Sequence, residues 1–402
     1  MPMKWNDRLD GLNDFPFRRL AQLLAGKTPG APPFDLSIGE PKHAPPALLA
    51  TTIAEESANW NRYPPMAGTA AFREAAAGWM IRRFGLPEAA LDPERHIVPL
   101  AGTKEGLFML PQIVTPDVSR FGGRPVVLVP NPVYSTYVGA ATIAGAEPIY
   151  LRADAASGFL PDLDQLEPAV LDRTSACFIC TPANPQGAVA DLAYLRRLVR
   201  LARTHGFLLI VDECYAEIFD REPPASGLNA ALAEGGDFSN VVTMHSLSKR
   251  SSAPGLRSGF VAGDSEVLSR FLRLRAYGAA VQPMPLMAAA TALWRDDAHV
   301  ESNRLAYRRK FDLAAKRLQG RFDFFRPAGG FFLWLNVAET GLSGEAAALK
   351  LWCEAGVKVL PGSYLAVTDT NGINPGRDYL RVALVHEEGM IDAALERIAQ
   401  TL

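Results

Sequence analysis

Lys249 stands four residues behind the apolar run VVTMH at 241–245, in the segment SLSKR, with Ser246 and Ser248 before it and Arg257 shortly after. A lysine amine held away from water is a nucleophile toward carbonyl carbon, and hydroxyls beside a guanidinium grip an anion of phosphate size. Other groups able to do chemistry follow other apolar runs. Asp212 and Tyr215 come directly after FLLIV (207–211), and Asn184 lies in the turn TPANPQG after ACFIC (176–180). Residues 98–100 lead into AGTKEG, where Gly102, Thr103 and Lys104 open a helix whose free amide hydrogens can receive an anion. Taken singly these features are ordinary, since most lysines are solvated and an acid at a strand end is often only a helix cap. Together they supply a phosphate-sized cradle (Gly102, Thr103, Lys104, Ser246, Arg257), an acid (Asp212), a neutral hydrogen-bonding pair (Asn184, Tyr215) and an amine. That set suits an anionic aldehyde on a protonated pyridine ring, to be condensed with an amine.

Such groups meet only if the runs preceding them lie side by side. Short apolar runs at 126–130 (VVLVP), 147–151 (EPIYL), 176–180, 207–211 and 241–245 alternate with amphipathic stretches, the pattern of an α/β fold whose parallel sheet is covered by helices on both faces. The clearest helix spans 191–205, with Asp191 as its cap, a stripe of Leu192, Leu195, Leu198, Val199 and Ala202, and Gly206 as its stop. In open parallel sheets ligands bind beyond the carboxyl ends of the strands, where these residues would emerge. After Leu335 the pattern changes to a second unit, with strands near FFLWLNV and GVKVLP and a helix near 343–354. The Pro-rich N-terminal arm, through Pro46, is expected to pack with it, and the cleft between the two units is the natural site.

Composition narrows the partners. With 402 residues the chain holds a large unit and a smaller one, and 41 basic against 43 acidic residues provide no global field for nucleic acid or an anionic membrane. Any anion must then be held by local placement of charge. The segment 279–294 is broken by Gln282, Pro283 and Pro285 and reads as buried, not membrane-spanning. Asp7, Asp10 and Asp14 argue against an N-terminal targeting helix, so a cytoplasmic address is expected. Cys177 and Cys180 have metal-site spacing, but on a strand residues three apart face opposite ways and no second pair completes a site. Two core thiols and no metal are expected.

The motifs are recognisable as a set. SLSKRSSAPGLRSGF resembles the lysine motif of class I/II pyridoxal-phosphate-dependent aminotransferases, and TPANPQG followed by DECY 28 residues later (212 minus 184) is similar to their asparagine, aspartate and tyrosine. SIGEPKHAPP, NRYPPMAGTAAFREA, GGFFLWL and DYLRVAL agree in order over nearly the whole chain. The resemblance implies a fold-type I architecture, with a mainly parallel seven-stranded sheet in a large domain (48–290) and a small α+β domain from both chain ends (1–47 and 291–402). It implies pyridoxal 5'-phosphate bound covalently by Lys249, which then carries the proton of the reaction. Asp212 would pair with the ring nitrogen, Asn184 and Tyr215 with the phenolic oxygen, and Tyr134 would stack on the ring. Gly102, Thr103, Lys104, Ser246 and Arg257 would hold the phosphate. Arg381 and the Gly39 amide would meet the substrate carboxylate, with Asn184 nearby. Tyr63 in NRYPP would reach the neighbouring subunit's phosphate, which implies a homodimer with shared sites.

For the substrate, SIGEPKHAPP and ANPQG look closest to N-succinyldiaminopimelate aminotransferases, with glutamate as amino donor. The motifs identify no cation for the distal carboxylate of such a substrate, which leaves an aspartate, aromatic or broad-range aminotransferase as the alternative. A carbon–sulfur lyase on the same fold and a cofactor-binding regulator without turnover are the other readings, the last without any basic DNA-binding appendage to support it.

Overall fold

The computed structural model describes residues 3–12, 14–118, 123–164 and 166–402. Twelve strands run through them: β1 (Phe34–Asp35), β2 (Ile97–Leu100), β3 (Val126–Asn131), β4 (Glu147–Arg152), β5 (Thr174–Cys180), β6 (Leu208–Asp212), β7 (Val241–Ser246), β8 (Gly259–Gly263), β9 (Phe332–Asn336), β10 (Val357–Lys358), β11 (Leu360–Pro361) and β12 (Tyr379–Ala383). All five apolar runs are strands of one seven-stranded sheet, ordered β2-β8-β7-β6-β5-β3-β4. Neighbours from β7 to β4 are parallel, and β8 alone runs against both β2 and β7. The sheet is apolar on both faces because helices cover both. Along β5 this is visible residue by residue, since Cys177 and Ile179 enter one core while Ala176 and Phe178 enter the other. Both Cys177 and Cys180 are free and buried.

Register is what builds the site. Cys180 pairs with Asp212 and Asp212 with Met244, so β5, β6 and β7 end at one level. Whatever follows each strand must emerge at the same rim.

The helix Leu192–His205 has the expected ends, with the Asp191 side chain accepting the Tyr194 amide hydrogen at 2.7 Å and Gly206 left-handed at φ 71°. Its stripe is narrower than expected. Leu195, Leu198, Val199 and Ala202 are buried, but Leu192 is exposed, because it lies in the first turn, beyond the edge of the sheet the helix covers. The segment 279–294 is a loop followed by the helix Met284–Arg295, buried largely through Met287, Leu293 and Trp294.

A second core forms between β11-β12-β9, the long helix Ala298–Leu318 and the C-terminal helix Glu388–Thr401. The N-terminal arm joins it as β1 pairs with β10, Phe34 beside Val357. The expected helix at 343–354 is Gly344–Lys350, capped by Ser343 and continued by the wider turn Leu351–Ala355. The division expected at 290 falls inside the helix Met284–Arg295, whose Leu293 and Trp294 pack in the large-sheet core. Among the described residues no helix is long and apolar enough to cross a membrane.

Candidate active site

A cleft of about 530 Å³ opens where β5, β6 and β7 end, within the range of pockets that take a cofactor-sized molecule. Lys249 enters it from the short helix Leu247–Arg250, whose N-terminus Ser246 caps by accepting the Ser248 amide hydrogen at 3.1 Å. The Lys249 Nζ donates to the Gly39 carbonyl at 2.7 Å and lies 5.3 Å from the Phe331 ring centre and 5.8 Å from that of Tyr215. Burial costs the ammonium its hydration and brings its pKa down to about 8.

Asp212, buried at the end of β6, accepts a hydrogen bond from the Tyr137 hydroxyl at 2.7 Å and another from the Cys214 amide at 3.2 Å. Tyr137 is stacked on Phe178, ring centres 4.4 Å apart and nearly parallel, and both burial and the neighbouring carboxylate push its pKa well up. It therefore stays a donor. The motifs did not single out Tyr137, although it lies one helical turn after Tyr134 in YSTY, on the helix Ser135–Ala144.

Tyr134 meets Tyr137 edge-on at 5.5 Å and lines the cleft. Tyr215 is buried with its ring edge-on to Phe331, and its pKa is raised chiefly by that burial.

The anion cradle is assembled from two elements. Gly102, at φ 84°, precedes the helix Thr103–Val114, and a Cβ there would stand 2.0 Å from the Arg257 Nη2 atom. A side chain at 102 would thus displace the guanidinium. Arg257 is itself left-handed at φ 50° and donates to the Pro254 carbonyl at 2.9 Å, which holds it over the glycine. Thr103 Oγ1 lies 3.1 Å from Cys214 Sγ, tying the helix start to the end of β6. Lys104 Nζ lies between the rings of Phe15 (5.5 Å) and Tyr134 (6.0 Å) at the mouth.

Across the cleft, buried Arg381 on β12 donates to the Ser37 carbonyl at 2.7 Å and to Asn184 Oδ1 at 3.2 Å, with its guanidinium 4.3 Å over Phe332. Its Nε is buried without a hydrogen-bond partner, no carboxylate pairs with it among the described residues, and burial brings its pKa down to about 10. A guanidinium in that condition gains from any carboxylate that enters. Gly39 lies at this edge, against Phe332, so closely that a Cβ would meet its ring at 2.4 Å. Its carbonyl accepts from Lys249 Nζ. Tyr63 is fully exposed and lines no part of the cleft within one chain.

Residues 31–398 match the family model described as aminotransferase class I and II. The chain belongs to that family. This aminotransferase is 34% identical over 399 residues to the LL-diaminopimelate aminotransferase of Desulforudis audaxviator, covering 97% of this chain and 96% of that protein. Among solved structures it resembles an aminotransferase from Neisseria meningitidis, with TM-score 0.93, 36% identity and coverage of 98% of this chain and 99% of that one. It also resembles a probable N-succinyldiaminopimelate aminotransferase from Thermus thermophilus, with TM-score 0.84, 27% identity and coverage of 96% and 100%. The fold-type I architecture expected from the motifs is therefore that of its structural neighbours.

The state of Lys249 can be titrated in the cofactor-free aminotransferase. Labelling of Lys249 by an amine-selective reagent, followed by peptide mass spectrometry, should rise with a midpoint near pH 8, well below the ordinary lysine value of 10.5. Between those values the unfolded chain keeps a proton that the folded one has lost, so this group makes folding more favourable as pH rises through the window. A labelling midpoint at the ordinary value would contradict the desolvated setting described above.

Proposed function

We propose that this aminotransferase binds pyridoxal 5'-phosphate covalently through Lys249 and moves an amino group between an amino acid and a 2-oxo acid. The observation that carries the reading is the convergence, in one cleft, of a partly neutral Lys249, an Asp212 carboxylate held by Tyr137, and a buried Arg381 without an anion. The residues fit the cofactor on chemical grounds. A bare glycine beneath a guanidinium at a helix N-terminus suits a phosphate, and a buried carboxylate suits a protonated ring nitrogen.

When bound, the cofactor supplies an electron sink that makes the α-proton of an amino acid removable. Gly102, the Thr103 and Lys104 amides, Ser246 and Arg257 would hold its phosphate, Asp212 its ring nitrogen, Asn184 and Tyr215 its phenolic oxygen, and Tyr134 its ring face. Arg381, with the Gly39 backbone, would orient the substrate carboxylate, so that the freed Lys249 amine reaches the α-carbon and moves the proton there. Residues 48–295 would form the cofactor-holding unit and the two chain ends the smaller one. A cytoplasmic homodimer belongs to the same reading.

For the substrate, a 2-oxo acid with a distal carboxylate, such as an N-succinyl-2-amino-6-oxopimelate, is the reading supported by the names of the relatives and by the cleft mouth. Of the cations lining the cleft, Lys249, Arg257 and Arg381 have the tasks above, which leaves Lys104. Lys104 also lines a neighbouring hollow of about 1010 Å³ bordered by Arg19 and Arg377, a volume that would take an acylated chain. Glutamate fits as donor because it too carries a distal carboxylate. An aspartate, aromatic or broad-range activity is the second reading, favoured by the aromatic wall of Phe15 and Tyr134.

Borohydride reduction of the cofactor-loaded enzyme should fix the label on the peptide containing Lys249, and Lys249→Ala should lower transamination by several orders of magnitude. A label on Lys104, or near-normal turnover, would overturn the assignment. Lys104→Met should raise KM about tenfold for 2-oxo acids with a distal carboxylate, the loss of one charge-assisted hydrogen bond, and leave short apolar ones unchanged. An equal effect on both would refute the distal role.

Tyr63 is proposed to act across the dimer, consistent with its complete exposure in one chain. Subunit exchange between Lys249→Ala and Tyr63→Asp variants puts both defects in one site of each hybrid and neither in the other, so about half the sites should recover. No recovery, with exchange verified by mass, rules out the role across subunits.

A further inference from the structure

The loop at residues 37–46 touches Lys249 twice, by different routes. Directly, the Gly39 carbonyl accepts from Lys249 Nζ. Four residues further on, His43 turns into the body of the protein, its ring 5.1 Å from that of Tyr307. There His43 Nδ1 lies 3.1 Å from Asn303 Oδ1 and Nε2 lies 2.7 Å from Lys310 Nζ. Asn303 gives its amide hydrogens to the main-chain carbonyls of Lys249 (3.1 Å) and Arg250 (3.2 Å), so its oxygen must face the imidazole. The Ser252 hydroxyl donates to that same oxygen at 3.2 Å. This fixes the tautomer: Nδ1 donates to Asn303, and Nε2 accepts from Lys310.

Lys310 itself is wholly buried and donates also to the Leu384 carbonyl at 3.1 Å, with no ion-pairing carboxylate among the described residues. Burying an amine without a carboxylate is costly, and an apolar side chain of similar length would fill the same space without that cost. What the lysine adds is a donor for the imidazole.

We propose that His43 is a positioning residue for transamination: its ring bridges buried Lys310 to Asn303, and through Asn303 to the main chain of Lys249, so that the Gly39 loop and the lysine keep one register. The proposal rests on the assignment of Lys249 made above. In the cofactor-free chain a closed circuit results, from Lys249 Nζ to Gly39, along the loop to His43, across Asn303, and back to the Lys249 carbonyl, and the link through Asn303 to the lysine backbone does not depend on the Nζ atom. With the bridge open, the loop keeps the hydrogen bond from the Lys42 amide to the Val385 carbonyl (3.2 Å), but loses its link to the lysine backbone. Gly39 lies at the edge where Arg381 awaits a carboxylate, so slackness in the loop reaches both substrate binding and the lysine.

Acid should open the same bridge. The charged or titratable groups facing His43 are Lys310 and Tyr307 from the helix Ala298–Leu318 and Glu387 and Glu388 at the C-terminal helix, while Glu40 and Lys42 pair with each other on its own loop. Burial first, and Lys310 second, depress the His43 pKa, which keeps the ring neutral near neutral pH. A second ring proton would remove the acceptor that Lys310 uses.

The test uses the full chain, without cofactor for amide hydrogen exchange and with it for kinetics. His43→Phe keeps a flat ring beside Tyr307 and removes both hydrogen bonds. In that variant exchange across residues 38–42 should quicken about tenfold or more, as local opening becomes easier. KM for the amino donor should rise roughly tenfold, with a smaller fall in kcat. In the unaltered protein, exchange corrected for its intrinsic pH dependence should quicken on acidification, whereas in His43→Phe it should stay flat. Lys310→Met, which removes only the outer donor, should move the same measurements in the same direction by less, and carries the test should His43→Phe fail to fold. Unchanged loop exchange overturns the bridge, and quicker exchange with unchanged kinetics reduces His43 to a packing residue. The exchange arm involves no turnover, so it stands or falls apart from the chemistry assigned to Lys249.

Discussion

An ammonium taken out of water at the end of a parallel sheet is the constraint on which the site is built. Lys249 is useful as an amine only if part of its population is neutral, and burial achieves this chiefly, with Arg381 and Arg257 pushing the same way. The same desolvation makes every other charge in the cleft expensive, so each must be held by a neighbour or left ready for a ligand. Asp212 is held by Tyr137 and by the Cys214 amide. Arg257 leans on the Pro254 carbonyl over a bare glycine. Arg381 is only partly satisfied, with carbonyl oxygens from Ser37 and Asn184 in place of an anion.

The strands that lead to the rim allow this by carrying no charged side chain before Asp212. Strands β5, β6 and β7 are buried from end to end, and the polar side chains within them, Thr174, Ser175, Thr243 and His245, are neutral, His245 because burial brings its pKa down to about 3. Behind the rim some polar groups find partners, while Thr243 Oγ1 and His245 Nε2 are buried without a hydrogen bond. Glu213, next to Asp212, takes hydrogen bonds from the Ser226 hydroxyl and the Gly227 amide, and burial raises its pKa to about 8. Adjacent residues on one strand end face opposite ways, so Asp212 looks into the cleft while Glu213 serves as an anchor for the helix Gly227–Gly235.

Two differences between expectation and structure share one origin, a direction that spacing alone does not encode. Leu192 fits the helical stripe but lies beyond what the helix covers. The helix Met284–Arg295 runs through residue 290 and buries Trp294 in the first core.

From the order of its residues alone five strands of the large sheet, the helix at 191–205 and the position of a lysine, an acid, an asparagine and a tyrosine after those strands were legible, because apolar periodicity and turn chemistry are local properties. The supporting partners were decided elsewhere. Tyr137 reaches Asp212 across 75 residues, Arg381 reaches Asn184 across 197, and Lys310 reaches His43 across 267. Such pairings depend on strand register and on how the two cores lie against each other, and a hydrogen bond between residues that far apart leaves no period in the sequence from which to read it.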